Sequence, residues 1–341
     1  MTNKVISQEA GRETAPAATG PVALPEPSGS VRESTETSLA IFLAGPTAAG
    51  KSALAAELCE RLGGEIISVD SMQVYQGLDI GTAKPSAEDR RRVCHHLIDV
   101  VTLKESFDAA QFVRLAGVAA QDIRARGRRP IFCGGTGLYF NAYLEGLGPA
   151  PPRDTRIRAE LEATPPAQLL EELERRDPEA FRGMDRRNPR RVVRALEVIR
   201  LTGRPFSTQR APWSGAKRAG AQMIGLTRPM SELVQRIHQR VEEMFRQGLV
   251  GETESLLAQG LAENPSALQA LGYRQVVEHL RGERGLAETM ELVKIRTRQF
   301  AKRQLTWFRR QLNLEWITLT AASRQPDLHK TIDKILCARP S

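Results

Sequence analysis

A glycine-containing segment between a strand-like run and a helix-like run constrains the fold of this chain more than any other feature. Residues 45–52 have the sequence GPTAAGKS and fit the P-loop pattern G-x-x-x-x-G-K-[ST]. Residues 39–44 are apolar and predict a buried strand, and residues 53–58 predict the start of a helix. In such a unit, the loop N–H groups and the helix N-terminus surround an anion. The expected polyphosphate-binding residues are Gly45, Pro46, Thr47, Ala48, Ala49, Gly50, Lys51 and Ser52.

Two side chains of this P-loop add chemistry of their own. Lys51 supplies a mobile cation, and the Ser52 hydroxyl is an oxygen donor that can ligate Mg²⁺. We therefore expect Mg²⁺ as a cofactor with Ser52 as its metal ligand. The pattern alone does not decide which phosphate compound is bound or whether a phosphoryl group is transferred.

Strand-like and helix-like segments alternate through the first part of the chain. Strands are predicted at 39–44, 65–70, 97–101 and 130–133, and helices at 52–61 and 107–126. This alternation, with glycines at the strand ends, indicates a parallel sheet that is covered by helices on both faces. The sequence therefore predicts the α/β class, with a P-loop NTPase-like core.

A change of composition after residue 148 predicts a mainly helical insertion. The following segment is rich in arginine and is punctuated by prolines, which is typical of several short helices. A last strand is predicted at 222–227, followed by three or four helices over 231–312. The predicted units are a core of residues 38–148 and 222–330, an insertion of residues 149–221, and a disordered extension of residues 1–37. The extension has almost none of the apolar residues that a folded segment buries.

The charge balance favours a polyanionic partner. The net charge is +9 and the isoelectric point is about 9.7. No run approaches the roughly 18 apolar residues of a membrane span, so we expect no membrane partner. The widely spaced cysteines Cys59, Cys94, Cys133 and Cys337 form no C-x-x-C pair, which favours reduced thiols and a cytoplasmic location.

Asp70 is the last residue of a predicted strand and Thr136 follows another, at the strand ends where ligands of parallel sheets bind. Three interpretations of Asp70 stay open: a general base, a carboxylate that orders Mg²⁺, or a helix N-cap. Thr136 belongs to the sequence GGTG at 134–137, which is either a second phosphate contact or a tight structural turn. The adjacent His95 and His96 point in different directions in any regular element, so we expect no metal site there.

Residues 294–310 predict a basic helix. This segment holds seven Lys or Arg and no Asp or Glu, and we expect Phe300, Leu305 and Phe308 to pack inward. An uncompensated basic face with interleaved aromatics suits contact with RNA phosphates and bases, and a solvated structural face is the alternative. A second basic cluster at 186–191, RRNPRR, strengthens the RNA interpretation.

Seven motifs in series resemble the tRNA dimethylallyltransferases, also called tRNA isopentenyltransferases. The motifs are GPTAAGKS, DSMQVYQGLDIGTAKP, HHLID, GGTGLYFNAYLEG, RNPRRVVRALEV, LGYRQ and TRQFAKRQLTWFR. The resemblance implies transfer of a dimethylallyl group from dimethylallyl diphosphate to the exocyclic amine of the adenosine just 3′ of the anticodon. It further implies tRNAs that read codons beginning with U. Pyrophosphate leaves, so a P-loop that would otherwise serve ATP stabilises departing negative charge.

The same resemblance implies roles for individual residues. Asp70 matches the general base, Thr136 a diphosphate contact near the breaking bond, and Arg240 a diphosphate-binding arginine. Lys51 and Ser52 match the P-loop lysine and the metal-contacting hydroxyl. The implied tRNA contacts are Asp70, Ser71, Met72, Gln73, Thr136, Arg158, Asn188, Pro189, Arg190, Arg191, Val192, Gln269, Ala270, Leu271, Gly272, Tyr273, Arg274, Lys302, Arg303, Gln304, Leu305, Thr306, Trp307, Phe308 and Arg309. The implied partners are dimethylallyl diphosphate and the anticodon stem-loop of tRNA, and we expect a monomer.

Some features depart from the family pattern, and other functions compete. Met230 stands where relatives commonly have arginine, and Ser52 where threonine is more usual. The zinc finger of the eukaryotic nuclear and cytosolic members does not occur in the sequence, which favours a bacterial origin. The competing functions are an ATP-dependent small-molecule kinase, a prenyltransferase acting on free AMP, ADP or ATP, and a non-enzymatic RNA-binding protein. The basic segments disfavour the first two, and the P-loop with Asp70 disfavours the third.

Overall fold

The computed structural model describes residues 40–211, 213, 221–320, 332 and 333. All of them belong to one compact unit, Ser34–Ser341. The predicted disorder of residues 1–37 lies outside the described residues. Among the helices of the described part, none is both long and apolar enough to span a membrane.

The centre of the molecule is a six-stranded parallel sheet with the strand order β3-β2-β4-β1-β5-β6. The strands are β1 (Ile41–Ala44), β2 (Gly64–Val69), β3 (His95–His96), β4 (Arg129–Gly134), β5 (Gln222–Thr227) and β6 (Glu315–Thr318). Ala44 pairs with Gly134 and with Gly225, and Gly134 also pairs with Val69. Strands β1, β2 and β4 therefore end in register, and the loops that follow them meet at one edge of the sheet.

Twelve α-helices accompany this sheet in the described residues. Those of the core are α1 (Lys51–Leu62), α2 (Ala87–Arg92), α3 (Ala109–Ala125), α4 (Gly137–Glu145), α9 (Met230–Arg246), α10 (Leu249–Ala258), α11 (Tyr273–Leu280) and α12 (Leu286–Gln311). Between them lie α5 (Thr155–Ala163), α6 (Pro166–Arg176), α7 (Pro178–Gly183) and α8 (Pro189–Thr202). The predicted α/β class with a parallel sheet is confirmed.

Both faces of the sheet are buried, which explains the nearly continuous apolar strands. Phe42 and Phe132 belong to one apolar cluster and stack with ring centroids 4.7 Å apart. Their neighbours in sequence, Leu43 and Ile131, belong to a second cluster together with residues of α1 such as Leu54. Alternate side chains of one strand thus enter different halves of the core, as is typical of parallel sheets covered on both sides.

One predicted strand needs correction, and one observed strand was not predicted. The predicted strand at 97–101 is absent, and His95–His96 forms β3 instead. Leu97 and Asp99 have positive φ angles of 62° and 57°, which an extended strand cannot accommodate. Asp99 is kept in this turn by Lys84 and Arg90, whose side-chain nitrogens lie 2.5 and 2.8 Å from its carboxylate oxygens. The sequence also gave no indication of the edge strand β6.

Helices α5–α8 surround an apolar cluster of their own, which includes Leu161, Leu173 and Leu196. A fully buried carboxylate, that of Glu197, accepts hydrogen bonds from Arg194 at 2.7 Å and Arg158 at 3.0 Å. The helical character predicted for this segment is therefore observed. Its exact limits, residues 149 and 221, stay a prediction, and residues 212 and 214–220 lie outside the described part.

Candidate active site

The P-loop connects β1 to α1 at the edge of the sheet where the strands end. A side chain at Gly45 would place its Cβ only 2.3 Å from the carbonyl oxygen of Leu226 on β5, and φ at Gly45 is 154°. Only glycine fits this close approach between backbones. The first glycine of the motif therefore brings the loop against the neighbouring strand.

Three arginines contact the backbone or side chains of the P-loop. Arg228 donates from Nε to the carbonyl oxygen of Ala49 at 3.0 Å, and Arg236 donates from Nε to that of Ala48 at 2.9 Å. Arg240 donates from Nη1 to the Thr47 hydroxyl at 3.3 Å. The sequence predicted Arg240 alone. Arg236 lies one turn before it on α9, and Arg228 follows the carboxyl end of β5, so both positions carried a usable signal.

Lys51 adds a fourth cation to the same loop. Its Nζ donates to the Pro46 carbonyl oxygen at 2.8 Å. Burial and, to a smaller extent, the charge of Arg240 lower the pKa of Lys51 to about 8, although Cys133 and Asp70 act in the opposite direction. Burial likewise lowers the pKa of Arg240, with a further contribution from Arg236. Cations that depress one another's pKa values in this way favour the binding of a polyanion between them.

Asp70 and Thr136 lie on adjacent, hydrogen-bonded loops. The Thr136 hydroxyl accepts from the Ser71 N–H at 3.1 Å, and Asp70 Oδ1 accepts from the N–H groups of Met72 at 2.8 Å and Gln73 at 3.2 Å. The capping interpretation of Asp70 is thus partly realised, although the segment it caps is a turn rather than a helix. Both hydrogen bonds end on Oδ1, which leaves Oδ2 for a proton or a metal ion.

Gln304 of α12 connects the P-loop to the loop at residues 134–137. Its Oε1 accepts from the Thr47 N–H at 2.8 Å, and its Nε2 donates to the Gly135 carbonyl oxygen at 3.0 Å. The Gln304 side chain is buried. It therefore lies at the edge of the sheet that carries the P-loop, and its side chain is not exposed as the implied tRNA contact would require.

The predicted tRNA contacts divide into exposed and buried side chains. Exposed are Pro189, Arg190, Arg191, Gln269, Arg274, Lys302, Arg303, Thr306 and Arg309. Partly buried are Asp70, Ser71, Met72, Gln73, Thr136, Arg158, Asn188, Leu271 and Trp307. Buried are Val192, Ala270, Gly272, Tyr273, Gln304, Leu305 and Phe308.

Burial corrects several of these assignments. Phe308 is fully buried and packs edge-on against Phe140, with ring centroids 6.0 Å apart. Tyr273 is also fully buried, and its hydroxyl donates to Glu252 at 2.5 Å. Val192 belongs to the apolar cluster of α5–α8. These side chains pack inside the protein and cannot contact tRNA in this structure.

A group of potential metal ligands lies at the opposite end of β2 from Asp70. Glu65, Cys94 and His96 come together, with 2.6 Å between Glu65 Oε2 and His96 Nε2. Arg126 also contacts Glu65 at 2.8 Å and Arg128 contacts it at 3.5 Å, so the carboxylate is already neutralised. We therefore assign no metal to this group.

Comparison with known proteins gives matches along most of the chain. The family model described as IPP transferase matches residues 73–311. The tRNA dimethylallyltransferase of Geobacter metallireducens is 47% identical over 292 residues, which cover 84% of this chain and 94% of the relative. The chain belongs to the IPP transferase family. The tRNA dimethylallyltransferase of Thermomicrobium roseum is 41% identical over 87% of this chain and 91% of its own length.

Solved structures of the family share the fold. The full-length tRNA isopentenylpyrophosphate transferase of Bacillus halodurans superposes with a TM-score of 0.65 at 39% identity, covering 88% of this chain and 96% of that one. A eukaryotic dimethylallyltransferase acting on tRNA gives a TM-score of 0.71 at 27% identity, covering 88% and 80%. The P-loop core and the helical segment therefore both belong to a known architecture.

Proposed function

We propose that this protein transfers a dimethylallyl group from dimethylallyl diphosphate to the exocyclic amine of the adenosine 3′-adjacent to the anticodon. The acceptors are tRNAs reading codons that begin with U, and pyrophosphate is released. The observation that carries the proposal is the convergence of four cations on the P-loop, Lys51, Arg228, Arg236 and Arg240, beside the Asp70 carboxylate. Membership of the IPP transferase family supports the chemistry.

The P-loop side of the site serves the leaving group. As the bond between carbon and the diphosphate oxygen breaks, negative charge grows on the diphosphate. Lys51, Arg240 and the hydroxyl of Thr136 are placed to stabilise that charge, because fixed donors in a partly buried site need little reorganisation during the reaction. Arg228 and Arg236 hold the carbonyl groups of Ala49 and Ala48 and so fix the shape of the loop.

The Asp70 side of the site serves the acceptor. The amine nitrogen attacks the allylic carbon and must lose a proton, which Oδ2 of Asp70 accepts as general base. The N–H groups of Met72 and Gln73 hold Oδ1 and thereby fix the direction of the carboxylate. The adenine must leave its stack to reach this carboxylate, at a cost of a few kcal/mol that contacts to the RNA backbone offset.

Mg²⁺ fits the oxygen donors at this edge. The Ser52 side chain is exposed at the start of α1. Its hydroxyl together with diphosphate oxygens offers the hard oxygen donors that Mg²⁺ prefers, so Asp70 Oδ2 stays available for the proton. The ion would neutralise part of the charge that develops on the diphosphate.

The exposed face of α12 is the proposed tRNA surface. Lys302, Arg303, Thr306 and Arg309 are exposed, and within the described residues none of the three cations forms an ion pair. The guanidinium carbons of Arg303 and Arg309 lie 6.0 and 5.8 Å from the ring centroids of Phe300 and Trp316.

Lys294 differs from the other cations of this segment. Its Nζ lies 2.8 Å from carboxylates of both Glu242 and Glu291, so its charge is compensated. We therefore do not include Lys294 in the proposed tRNA surface. We further propose a cytoplasmic monomer. The free thiols Cys59, Cys94 and Cys133 support a reducing compartment.

Mass spectrometry of the nucleosides of treated tRNA tests the function. The protein is incubated with bulk tRNA and dimethylallyl diphosphate, and we expect a dimethylallyl-adenosine in the digest. Parallel reactions use labelled ATP, to detect a kinase, and free AMP as acceptor, to detect a nucleotide prenyltransferase. Phosphoryl transfer, or prenylation of AMP but not of tRNA, would refute the proposal.

A further inference from the structure

Gln304 occupies an unusual place for a residue on a helix with an exposed basic face. It lies between Arg303 and Leu305 on α12, yet its amide reaches both loops that flank the proposed diphosphate. Its Oε1 accepts a hydrogen bond from the N–H of Thr47 in the P-loop, and its Nε2 donates one to the carbonyl oxygen of Gly135, the residue before Thr136.

The glycines of the second loop make this contact possible. A Cβ at Gly135 would lie 2.3 Å from Gln304 Nε2, and a Cβ at Gly137 would lie 2.1 Å from Cε3 of Trp307. The sequence suggested that these glycines let the backbone approach a ligand. The structure shows that they let α12 approach the loop.

We propose that Gln304 is a positioning residue, which sets the distance between the P-loop and Thr136 and thereby the fit of the diphosphate. The inference rests on the proposed function, because it takes the diphosphate to bind between these two loops. One amide can perform this task because it carries an acceptor and a donor on the same rigid plane. A methionine of similar length has neither group, so the two loops would lose their common partner.

The effect is measured with inorganic pyrophosphate as the probe. Calorimetric titration of the full chain in the presence of Mg²⁺ should give a dissociation constant about tenfold higher for Gln304→Met, since two net hydrogen bonds are lost. Affinity for tRNA should change less than about twofold. Gln121→Met is the control, because Gln121 is an exposed glutamine on α3, a helix without residues of the proposed diphosphate or tRNA surface, and should keep both affinities.

Gly135→Ala perturbs the same contact from its other partner. Gly135 does not need a left-handed φ, and the atom that its new Cβ would displace is the end of a flexible side chain, so the variant should fold. It should weaken pyrophosphate binding to a similar degree, and the double variant should be no weaker than the worse single variant. Such non-additivity is the signature of a shared interaction. A melting curve for each variant checks that the fold is kept.

Three results would overturn the proposal. If Gln304→Met weakens tRNA binding and leaves pyrophosphate binding unchanged, Gln304 is an RNA contact. If neither affinity changes, or if the effects of Gln304→Met and Gly135→Ala add independently, the amide does not position the loops. If the wild-type protein itself binds no pyrophosphate, the proposed function fails as well, and this outcome is visible before any variant is made.

Discussion

The salt dependence of tRNA binding is the most direct consequence of the exposed face of α12. Lys302 and Arg303 are exposed and lack ion-pair partners within the described residues. If each neutralises one RNA phosphate, each contributes a slope of roughly 0.7 to 0.9 to the logarithmic dependence of affinity on salt. Replacing both with alanine should therefore flatten that slope by about 1.4 to 1.8 units.

This flattening has a simple experimental form. Between about 50 and 200 mM salt, the ratio of wild-type to variant affinity should shrink roughly 7- to 12-fold. A filter-binding titration at several salt concentrations measures it. The charge-matched control is Arg92→Ala with Arg246→Ala, because these arginines already pair with Glu60 and Glu243. That control should leave the slope within about 0.3 units of the wild type.

A variant whose tRNA affinity has the same salt dependence as the wild type would contradict this reasoning. If Lys302 and Arg303 only stabilise the helix, the variant binds tRNA either normally or equally weakly at every salt concentration. If the slope of affinity against salt is unchanged, Lys302 and Arg303 do not contact RNA phosphates. This holds even if the affinity at a single salt concentration changes.

Four further predictions concern the reaction and the fold. Asp70→Asn should keep tRNA affinity and lower single-turnover rates by about 10² to 10⁴-fold, as for loss of a general base; a defect that extra Mg²⁺ rescues would indicate metal ordering instead. Lys51→Met and Arg240→Ala should each cost about 2 to 4 kcal/mol of transition-state stabilisation, measured as kcat/KM. The pKa of Lys51 is about 8, and only its protonated amine attracts the anion, so the affinity of the wild type for diphosphate should fall as pH rises through that value. Lys51→Met should lose this part of the pH dependence. Identical pH profiles for the wild type and the variant would refute the role of Lys51. Glu197→Ala should lower the free energy of unfolding by about 3 kcal/mol in a denaturant titration, because Arg158 and Arg194 lose a buried partner, whereas the exposed Glu171→Ala should change nothing.

The edge of the sheet where the site lies was predictable because its signals are local. The GPTAAGKS pattern, the apolar run before it and the helix after it all lie within about twenty residues. Asp70 and Thr136 follow strands that run in parallel, and parallel strands present their carboxyl ends at one edge. That rule was enough to place both residues beside the P-loop.

The partners across that edge were decided by the tertiary structure. Arg228, Arg236 and Gln304 contact P-loop residues that are 179, 188 and 257 positions away in the chain. The position of Arg228 after β5 and of Arg236 one turn before Arg240 made them candidates, but no local pattern names the P-loop atoms that they or Gln304 contact. Their roles depend on how α9 and α12 pack against the sheet.

The sequence by itself determined the class of fold and the chemistry at the end of each strand, because backbone preferences and apolar periodicity act between near neighbours. Only the tertiary structure decided which charges stay free. Within the basic segment of α12, Lys294 is neutralised by two carboxylates, whereas Lys302 is exposed and has no ion-pair partner among the residues that the structure describes. The packing of α12 also explains why Gln304 and Phe308 face the interior, although their neighbours in sequence are exposed cations. A helix rotates each residue by about 100°, so the docked face of α12 selects which neighbours are buried.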